Sequence, residues 1–284
     1  MSTEIFGGAI IREMADRIHK YPRTPHIAGS RIQPGDEDLR CISADELLGR
    51  ELVVEEKLDG SNSGVSFDAD GRLLLQSRGH FLDGGPRERQ FALFKSWATS
   101  HSGELWEALG DRWVIYGEWL YAKHTIFYDA LPHYFIEFDV LDKASGEFLS
   151  TARRRELLSG LPIVSAPILW MGQIKSAKQF DSLITASRFQ TPHWLAALIE
   201  VCDARGIDHN RVRGETDASG LMEGLYLKVE DRDRIVERYK FVRPSYTQAL
   251  EDSDNRWLER PIVPNRLRND ADIFAKQAKQ AKQD

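Results

Sequence analysis

The chain has 284 residues and a formal net charge of −6, and 42% of its residues are hydrophobic. This composition is typical of a globular protein with a substantial core, and it excludes a disordered or fibrous chain. The acidic balance excludes a protein that is basic throughout, although it is compatible with a local basic groove. The two cysteines, Cys41 and Cys202, lie far apart and outside any CxxC pair. We therefore predict no disulfide framework, no zinc site and a reducing, cytoplasmic location.

The first part of the chain gives few signals. No stretch reaches the roughly 18 apolar residues of a membrane span, so no membrane partner is predicted. The N-terminal sequence lacks the apolar core of a signal peptide. We predict a helix over 4–20 and a Pro- and Gly-rich loop over 21–43, so that segment 1–50 packs on the core as a helix and a loop.

From residue 51 the pattern changes to that of β-strands. Runs of β-branched and other apolar residues, bounded by turn residues, predict strands over 52–57, 63–68 and 71–78. Apolar residues at helical spacing then predict a helix over 87–109. Two apolar runs on either side of a loop predict further strands over 112–121 and 133–142.

The second half of the chain mixes helices with strands. The same signals predict a strand near 163–170 and helices near 151–158, 176–186 and 192–205. Segments 222–230 and 237–243 are predicted to pair, and Pro244 ends the second because proline cannot donate to the ladder. The polar tail 245–284 is predicted to be a short solvated helix, with weak phosphate contact as the alternative.

The stretch VVEEKLDGSNSG, at 53–64, is unusual for the end of a strand. Lys57 follows an apolar, β-branched run and directly precedes Leu-Asp-Gly. The simplest interpretation is a hairpin in which a tight turn joins strands 52–57 and 63–68. In the alternative, Lys57 is a nucleophile held at a turn with carboxylates placed around it.

Four further short motifs follow Lys57-Leu58-Asp59-Gly60 in order. They are Ser77-Arg78-Gly79, Tyr116-Gly117-Glu118, Glu223-Gly224-Leu225-Tyr226-Leu227-Lys228 and Tyr239-Lys240-Phe241. A lone KxDG match is weak, but the ordered set, each member at a predicted strand end or turn, is specific. The set resembles the covalent nucleotidyltransferase superfamily of ATP-dependent DNA ligases, RNA ligases and mRNA capping enzymes, over about residues 50–245.

Within that superfamily the chain is most similar to RNA ligases of the T4 RNA ligase 2 type. Asn62, in KLDGSN, matches a polar residue that those enzymes use in sealing, and segment 117–142 resembles their third motif running into an aromatic-aspartate motif, here Phe138-Asp139. The resemblance implies an α+β nucleotidyltransferase (ligase adenylation) domain over 51–244, with antiparallel β-sheets flanked by helices. The roughly 40 residues after Arg243 are too few for the C-terminal OB-fold of DNA ligases and capping enzymes, so no OB-fold is expected.

The resemblance also implies roles in chemistry. Lys57 would attack ATP and carry AMP, while Lys228 and Lys240 would contact phosphate oxygens. These two cations and a metal ion would lower the pKa of Lys57, which is protonated when free. Mg²⁺ or Mn²⁺ would be held through waters by three carboxylates, those of Asp59, Glu118 and Glu223.

Other residues are assigned to the substrates. Phe138 would stack on adenine, Glu55 would read the adenine amino group, and Glu118 would also contact the ribose. ATP or RNA phosphates would contact Arg78, and RNA contacts are further assigned to Asn62 and Arg243. Two more groups could also contact substrate: Arg23, Thr24 and His26 over the nucleotide, and Arg87, Arg89 and the run 152–156 along RNA.

Each of these residues has an ordinary structural interpretation that the sequence leaves open. Asp59 could belong only to a turn, Glu118 to a structural ion pair and Phe138 to the core. Arg78, the two strand lysines and the arginine runs could be solvated surface residues, and segment 21–27 could be a polar loop.

The sequence as a whole predicts an ATP-dependent RNA ligase that seals 3′-OH and 5′-phosphate ends through lysyl-AMP and RNA-adenylate, in RNA repair. Its partners would be RNA ends or a nicked duplex, together with a separate polynucleotide kinase/phosphatase, because no GxxxxGK[ST] loop is present. The alternatives are a DNA ligase or other lysyl-nucleotidyltransferase, an inactive nucleotide- or RNA-binding module, and a β-rich scaffold with chance matches.

Overall fold

The computed structural model describes residues 18–32, 35–246 and 261–275. They form a mixed α+β domain with two β-sheets, as predicted. The helix predicted over 4–20 lies almost entirely outside the described residues, and residues 18–25 are not helical. Among the helices of the described ranges, none combines the length and the apolar character needed to cross a membrane.

The larger sheet has six strands in the order β2-β1-β11-β10-β3-β9. Their bounds are β1 His26–Ile27, β2 Cys41–Ile42, β3 Glu51–Lys57, β9 Ile168–Gln173, β10 Gly224–Glu230 and β11 Ile235–Val242. The three strands β3, β10 and β11 confirm three predicted strands and pair antiparallel, whereas the short β1 runs parallel to β2 and β11. In this register Gly224 lies opposite Lys57, which brings the residue before Gly224 to the end of β3.

The smaller sheet has five strands in the order β5-β4-β6-β7-β8. Their bounds are β4 Ser61–Phe67, β5 Leu73–Ser77, β6 Trp113–Trp119, β7 Phe135–Asp142 and β8 Val164–Ser165. Neighbouring strands are antiparallel except for the β7–β8 pair. The register places Asn62 opposite Glu118.

The helices lie between and beside the strands. They are α1 Ala92–Ser100, α2 Ser102–Leu109, α3 Thr151–Leu157, α4 Lys178–Leu183, α5 Trp194–Ala204 and α6 His209–Gly214, with 3₁₀ turns at Ala44–Leu47 and Pro86–Phe91. The single helix predicted over 87–109 is therefore wrong: it is a 3₁₀ turn and two helices that His101 separates. The predicted apolar spacing still buries Phe94, Trp97 and Leu105 against the smaller sheet.

The two sheets contact each other through a small apolar cluster. Tyr116 of β6 and Tyr226 of β10 belong to it, together with Tyr21 from the segment before β1. All three side chains are buried. A separate cluster covers the other face of the larger sheet, so both faces of β3 are packed.

The KLDG segment is not the turn of a hairpin, because β3 and β4 belong to different sheets. It is the crossing from one sheet to the other. A Cβ atom on Gly60 would lie 2.6 Å from Leu120 Cδ2 and 2.7 Å from the backbone oxygen of Trp119. Only glycine allows the chain to pass this close to the end of β6.

The predicted solvated helix in the tail is wrong for residues 261–275, which are irregular and pack on the domain. Pro264 and Leu267 form isolated bridges with Ala122 and Leu131. The buried Asn265 amide accepts a hydrogen bond from Tyr128 N and donates one to Leu120 O. This part of the tail thus satisfies the polar backbone of the β6–β7 loop; tail residues 247–260 and 276–284 lie outside the described residues.

Candidate active site

A cleft opens between the two sheets. It brings together most of the predicted site, namely Glu55, Lys57, Asn62, Arg78, Glu118, Phe138 and Lys240. The segment before β1 also lines it through Tyr21, Arg23 and Thr24, and the loop between β1 and β2 does so through Asp36. Four predicted residues are not in its lining: Asp59, Glu223, Lys228 and Arg243.

Lys57 is the last residue of β3, and its Nζ donates to Glu223 Oε1 at 2.7 Å. Burial lowers the pKa of Lys57, but the negative charges of Glu223, Glu118 and Asp59 outweigh burial and raise the pKa above its ordinary value. The groups nearest to the amine are carboxylates, so the expected lowering of its pKa stays a prediction that depends on the metal ion.

The carboxylates around Lys57 repel one another. Burial raises the pKa of Glu118 to about 8, and the charges of Glu223 and Asp59 add to this while Lys57 and Arg78 oppose it. Burial raises the pKa of Glu223 as well. Glu118 Oε1 accepts a hydrogen bond from Gly60 N at 3.1 Å, so the carboxylate is fixed beside the chain crossing. The cluster is therefore one that a cation would stabilise.

Asp59 lies behind the cleft. Its Oδ2 accepts hydrogen bonds from Thr125 N and Ile126 N, both at 2.7 Å, and its Oδ1 lies 3.9 Å from His124 Nδ1. The carboxylate therefore anchors the β6–β7 loop and at the same time acts electrostatically on Lys57. Asp59 thus has a structural role and a charge that acts on Lys57, whereas the turn interpretation is wrong because this segment crosses between the two sheets.

Oxygen donors of this kind suit Mg²⁺, which keeps several of its waters. Within the described ranges, no three His, Cys, Asp or Glu side chains are grouped closely enough to bind a metal ion directly. Metal binding through waters by Asp59, Glu118 and Glu223 stays a prediction.

Lys228 is not placed to reach a phosphate in the cleft. Its side chain is fully buried, and Nζ lies 2.8 Å from Glu55 Oε2 and 3.1 Å from Asp139 Oδ1. Arg154, from α3, completes the network with contacts of 2.5 Å to Glu55 Oε1 and 3.0 Å to Glu137 Oε1. These acids hold the Lys228 ammonium in the interior, and the phosphate contact of Lys228 stays a prediction.

Two related expectations also change. Both oxygens of Glu55 are in ion pairs, so its position in the cleft wall is set by Arg154 and Lys228 rather than by a free carboxylate. Arg154, in the run 152–156, has no exposed side-chain surface and is not part of an RNA groove. Arg153 and Arg155 of the same run are exposed.

Arg243 is buried and has structural partners. Its Nη2 lies 2.5 Å from Asp217 Oδ2, and Nε donates to Met222 O at 2.8 Å. The guanidinium thereby fixes the segment that leads into Glu223. The contact of Arg243 with RNA stays a prediction, and in this structure the guanidinium has protein partners.

The remaining predicted residues lie in the cleft. Lys240 of β11 donates to the Asp36 carboxylate, and burial lowers the pKa of Lys240, with Lys57 and Arg78 adding to the effect. Arg78 is exposed at the cleft wall.

Phe138 is partly buried, and its ring contacts that of Tyr21 edge-on, with 5.2 Å between the ring centroids. The Oδ1 atom of Asn62 is buried and has no hydrogen-bond partner among the described residues.

The model of the RNA ligase family matches residues 50–242. The chain belongs to the RNA ligase family. The match covers the whole span from the start of β3 to the end of β11, and thus every motif that lines the cleft.

Among solved structures, the chain is similar to two variants of Naegleria gruberi RNA ligase, each with ATP and Mn. Both are 17% identical in sequence. The first match has a TM-score of 0.44 and covers 76% of this chain and 53% of that one. The second has a TM-score of 0.46 and covers 80% and 63%. This chain thus spans about half the length of the first ligase. No curated protein matches the sequence.

Three residues that shape the cleft were not predicted. Tyr226 lies two positions before Lys228 on β10, so strand alternation could have placed it on the same face. Tyr21 and Asp36 come from the segment predicted to be a loop, where no periodicity exists to mark them. Only the pairing of β1 with β11 brings that segment to the cleft.

Proposed function

We propose that the chain is an ATP-dependent RNA ligase that joins 3′-OH and 5′-phosphate RNA ends through lysyl-AMP and RNA-adenylate. The observation that supports this most directly is the position of Lys57. Its amine lies at the end of β3, within a cleft that also presents Arg78, Phe138 and Lys240. An amine beside phosphate-binding cations and an aromatic platform suits covalent capture of a nucleotide.

In the first step the neutral amine of Lys57 attacks the α-phosphate of ATP. The new N–P bond forms as the bond to the bridging oxygen of pyrophosphate breaks, and pyrophosphate leaves. Glu223 Oε1, 2.7 Å from Nζ, is within reach to accept the amine proton,. Arg78 and Lys240 stabilise the charge that develops on the phosphates.

In the later steps a 5′-phosphate oxygen attacks the phosphorus of lysyl-AMP and releases Lys57. A 3′-OH then attacks the resulting 5′–5′ anhydride, forms the phosphodiester and expels AMP. Asn62 lies on β4 opposite Glu118 and lines the cleft, which supports the proposal that its amide orients the RNA end.

A metal ion supports this chemistry in the proposal. Asp59, Glu118 and Glu223 would hold Mg²⁺ or Mn²⁺ through waters, and the ion would neutralise charge on the transferring phosphate. Without such an ion these carboxylates keep the pKa of Lys57 raised, which opposes formation of the nucleophilic amine.

The test is covalent labelling. The full chain is incubated with Mg²⁺ and α-labelled ATP or GTP, separated on a denaturing gel, and the labelled peptide is mapped. Acid-labile AMP on Lys57 is expected, with no label on Lys57→Ala or Lys57→Arg and normal label on Lys175→Ala, an exposed lysine. Labelling by GTP instead would indicate capping chemistry. No label with either nucleotide, in a folded protein free of bound AMP, would indicate a binding module.

The proposal also includes a role in RNA repair and a location in the cytoplasm. RNA repair with a separate polynucleotide kinase/phosphatase would supply ends of the required chemistry, because ligation needs a 5′-phosphate and a 3′-OH. A cytoplasmic location is supported by the unpaired thiols of Cys41 and Cys202,. Sealing of nicked RNA, nicked DNA and hybrid duplexes by the purified chain would identify the preferred substrate.

A further inference from the structure

Asp36 is an acid in the wall of the cleft, beside Lys240. It lines the cleft, and its carboxylate accepts a hydrogen bond from Lys240 Nζ. The same Oδ2 lies 3.3 Å from His26 Nε2, and Oδ1 lies 3.4 Å from Arg23 Nη2. One carboxylate thus contacts three nitrogen donors.

The backbone holds this arrangement together. His26 of β1 is in register with Lys240 of β11, and Lys240 N donates to Pro25 O at 2.9 Å. Arg23 Nη2 also donates hydrogen bonds to Asp38 Oδ1, at 2.6 Å, and to the carbonyl oxygen of Gly35. These contacts fix the position of the turn that begins at Asp36. Asp36 therefore reaches Lys240 from the loop between β1 and β2. The three donors lie on the paired strands β1 and β11 or just before β1.

The three donors surround one anion, the Asp36 carboxylate, and two of them, Arg23 and Lys240, also line the cleft. Lys240 is 7% exposed, so its ammonium has little room for additional acceptors. A phosphate oxygen brought to the same ammonium would lie close to the Asp36 carboxylate, and two like charges at such a distance repel strongly in a partly buried site. The carboxylate and a phosphate therefore compete for Lys240.

We propose that Arg23, His26 and Lys240 form a binding site for the pyrophosphate portion of the nucleotide, and that Asp36 is its internal competitor. The identity of the ligand as a phosphate rests on the proposed function. The anion site itself rests on the contacts of Asp36 with its three donors. Phosphate entry displaces the Asp36 carboxylate from Lys240. After AMP transfer, return of Asp36 to Lys240 favours departure of the pyrophosphate product.

The competition has a measurable size. If the carboxylate occupies Lys240 in roughly nine molecules of ten, the apparent affinity for the phosphate ligand is lowered roughly tenfold. Removal of the charge should recover that factor. A residue that merely supported the fold would not give tighter binding when it is replaced.

The test compares Asp36→Asn with Asp70→Asn in the full chain. Both variants remove one negative charge, but Asp70 is exposed, lies between β4 and β5 and is not part of the cleft lining. Binding of inorganic pyrophosphate is measured by calorimetry, and thermal unfolding checks that each variant is folded. We expect Asp36→Asn to bind pyrophosphate roughly tenfold more tightly than the wild type, and Asp70→Asn to stay within about twofold.

Equal or weaker binding by Asp36→Asn would overturn the proposal, since Asp36 would then orient Lys240 rather than compete for it. An equal gain in Asp70→Asn would also overturn it, because the effect would then come from net charge alone. In the wild type, pyrophosphate should shift the ¹³C resonance of the Asp36 carboxylate and leave that of the exposed Asp70 in place; no shift at Asp36 would count against the proposal even if the variants did not fold. Pyrophosphate binding requires no catalysis, so failure of ATP labelling would remove the ligase function without removing this site.

Discussion

Lys57 Nζ and Glu223 Oε1 lie 2.7 Å apart although 166 residues separate them in the chain. The contact joins the end of β3 to the residue before β10. A Cβ atom on the adjacent Gly224 would collide with the backbone oxygen of Phe241, so only glycine allows β10 to start here. The pair is therefore a product of strand register rather than of local sequence.

The first prediction concerns the energy of this pair. Lys57→Met leaves a cluster of carboxylates without its cation, so the variant should lose about 2 kcal/mol of unfolding free energy. Glu223→Gln in the same chain should restore part of the loss, with a coupling energy of roughly 1–3 kcal/mol. Urea unfolding of the wild type, both single variants and the double variant, in a chelator, measures the cycle. Strict additivity would mean that the contact contributes nothing.

The second prediction concerns Asn62. Asn62→Ala removes an amide from the cleft wall without changing the charges around Lys57, so lysyl-AMP formation should stay within about threefold while sealing of nicked RNA falls by roughly a hundredfold. Single-turnover assays separate the two steps. Asn210→Ala, at an exposed position on α6, is the control and should seal normally. Normal sealing by Asn62→Ala would show that the amide does not orient the RNA end.

The third prediction separates the arginines of α3. Arg154→Met leaves Glu55 and Glu137 buried without their cation and should lower the unfolding free energy by roughly 3–5 kcal/mol. Arg155→Met, at the adjacent exposed position, should change it by less than about 0.5 kcal/mol. Urea unfolding measures both. If the two variants were equally stable, the network around Glu55 would contribute little to the fold.

The fourth prediction concerns acid stability. Burial lowers the pKa of His133 from its ordinary value of 6.5 to about 4. Between these values the unfolded chain binds the proton and the folded chain does not, so stability falls as the pH falls through this window. Acidification from pH 6.5 to pH 5 should cost about 2 kcal/mol through this residue.

Urea unfolding of His133→Gln at the two pH values isolates this contribution. The variant should lose less stability on acidification than the wild type, by about the same 2 kcal/mol. His193→Gln replaces an exposed histidine and should behave as the wild type does. An acid dependence that is unchanged in His133→Gln would assign the loss to other groups.

Much of the local structure was predictable, for reasons that act over short windows. The strands over 52–57, 222–230 and 237–243 follow from apolar alternation and turn residues, and the structure confirms them within one or two residues at their ends. The break at His101 was not predictable, because the apolar spacing continues across it and tertiary packing ends the first helix.

By itself, the sequence determined the order of the motifs, the family to which they belong and the lysine on which the chemistry should centre, because these depend on residue type and spacing along the chain. Only the tertiary structure decided the partner of each charge. Lys228 faces Glu55 and Asp139, Arg243 faces Asp217, and Lys240 faces Asp36. The local sequence around a charged strand residue is the same whether its side chain points to a phosphate site or to a buried acid. The difference lies in burial and in contacts between distant segments, which strand pairing and the packing of the two sheets create.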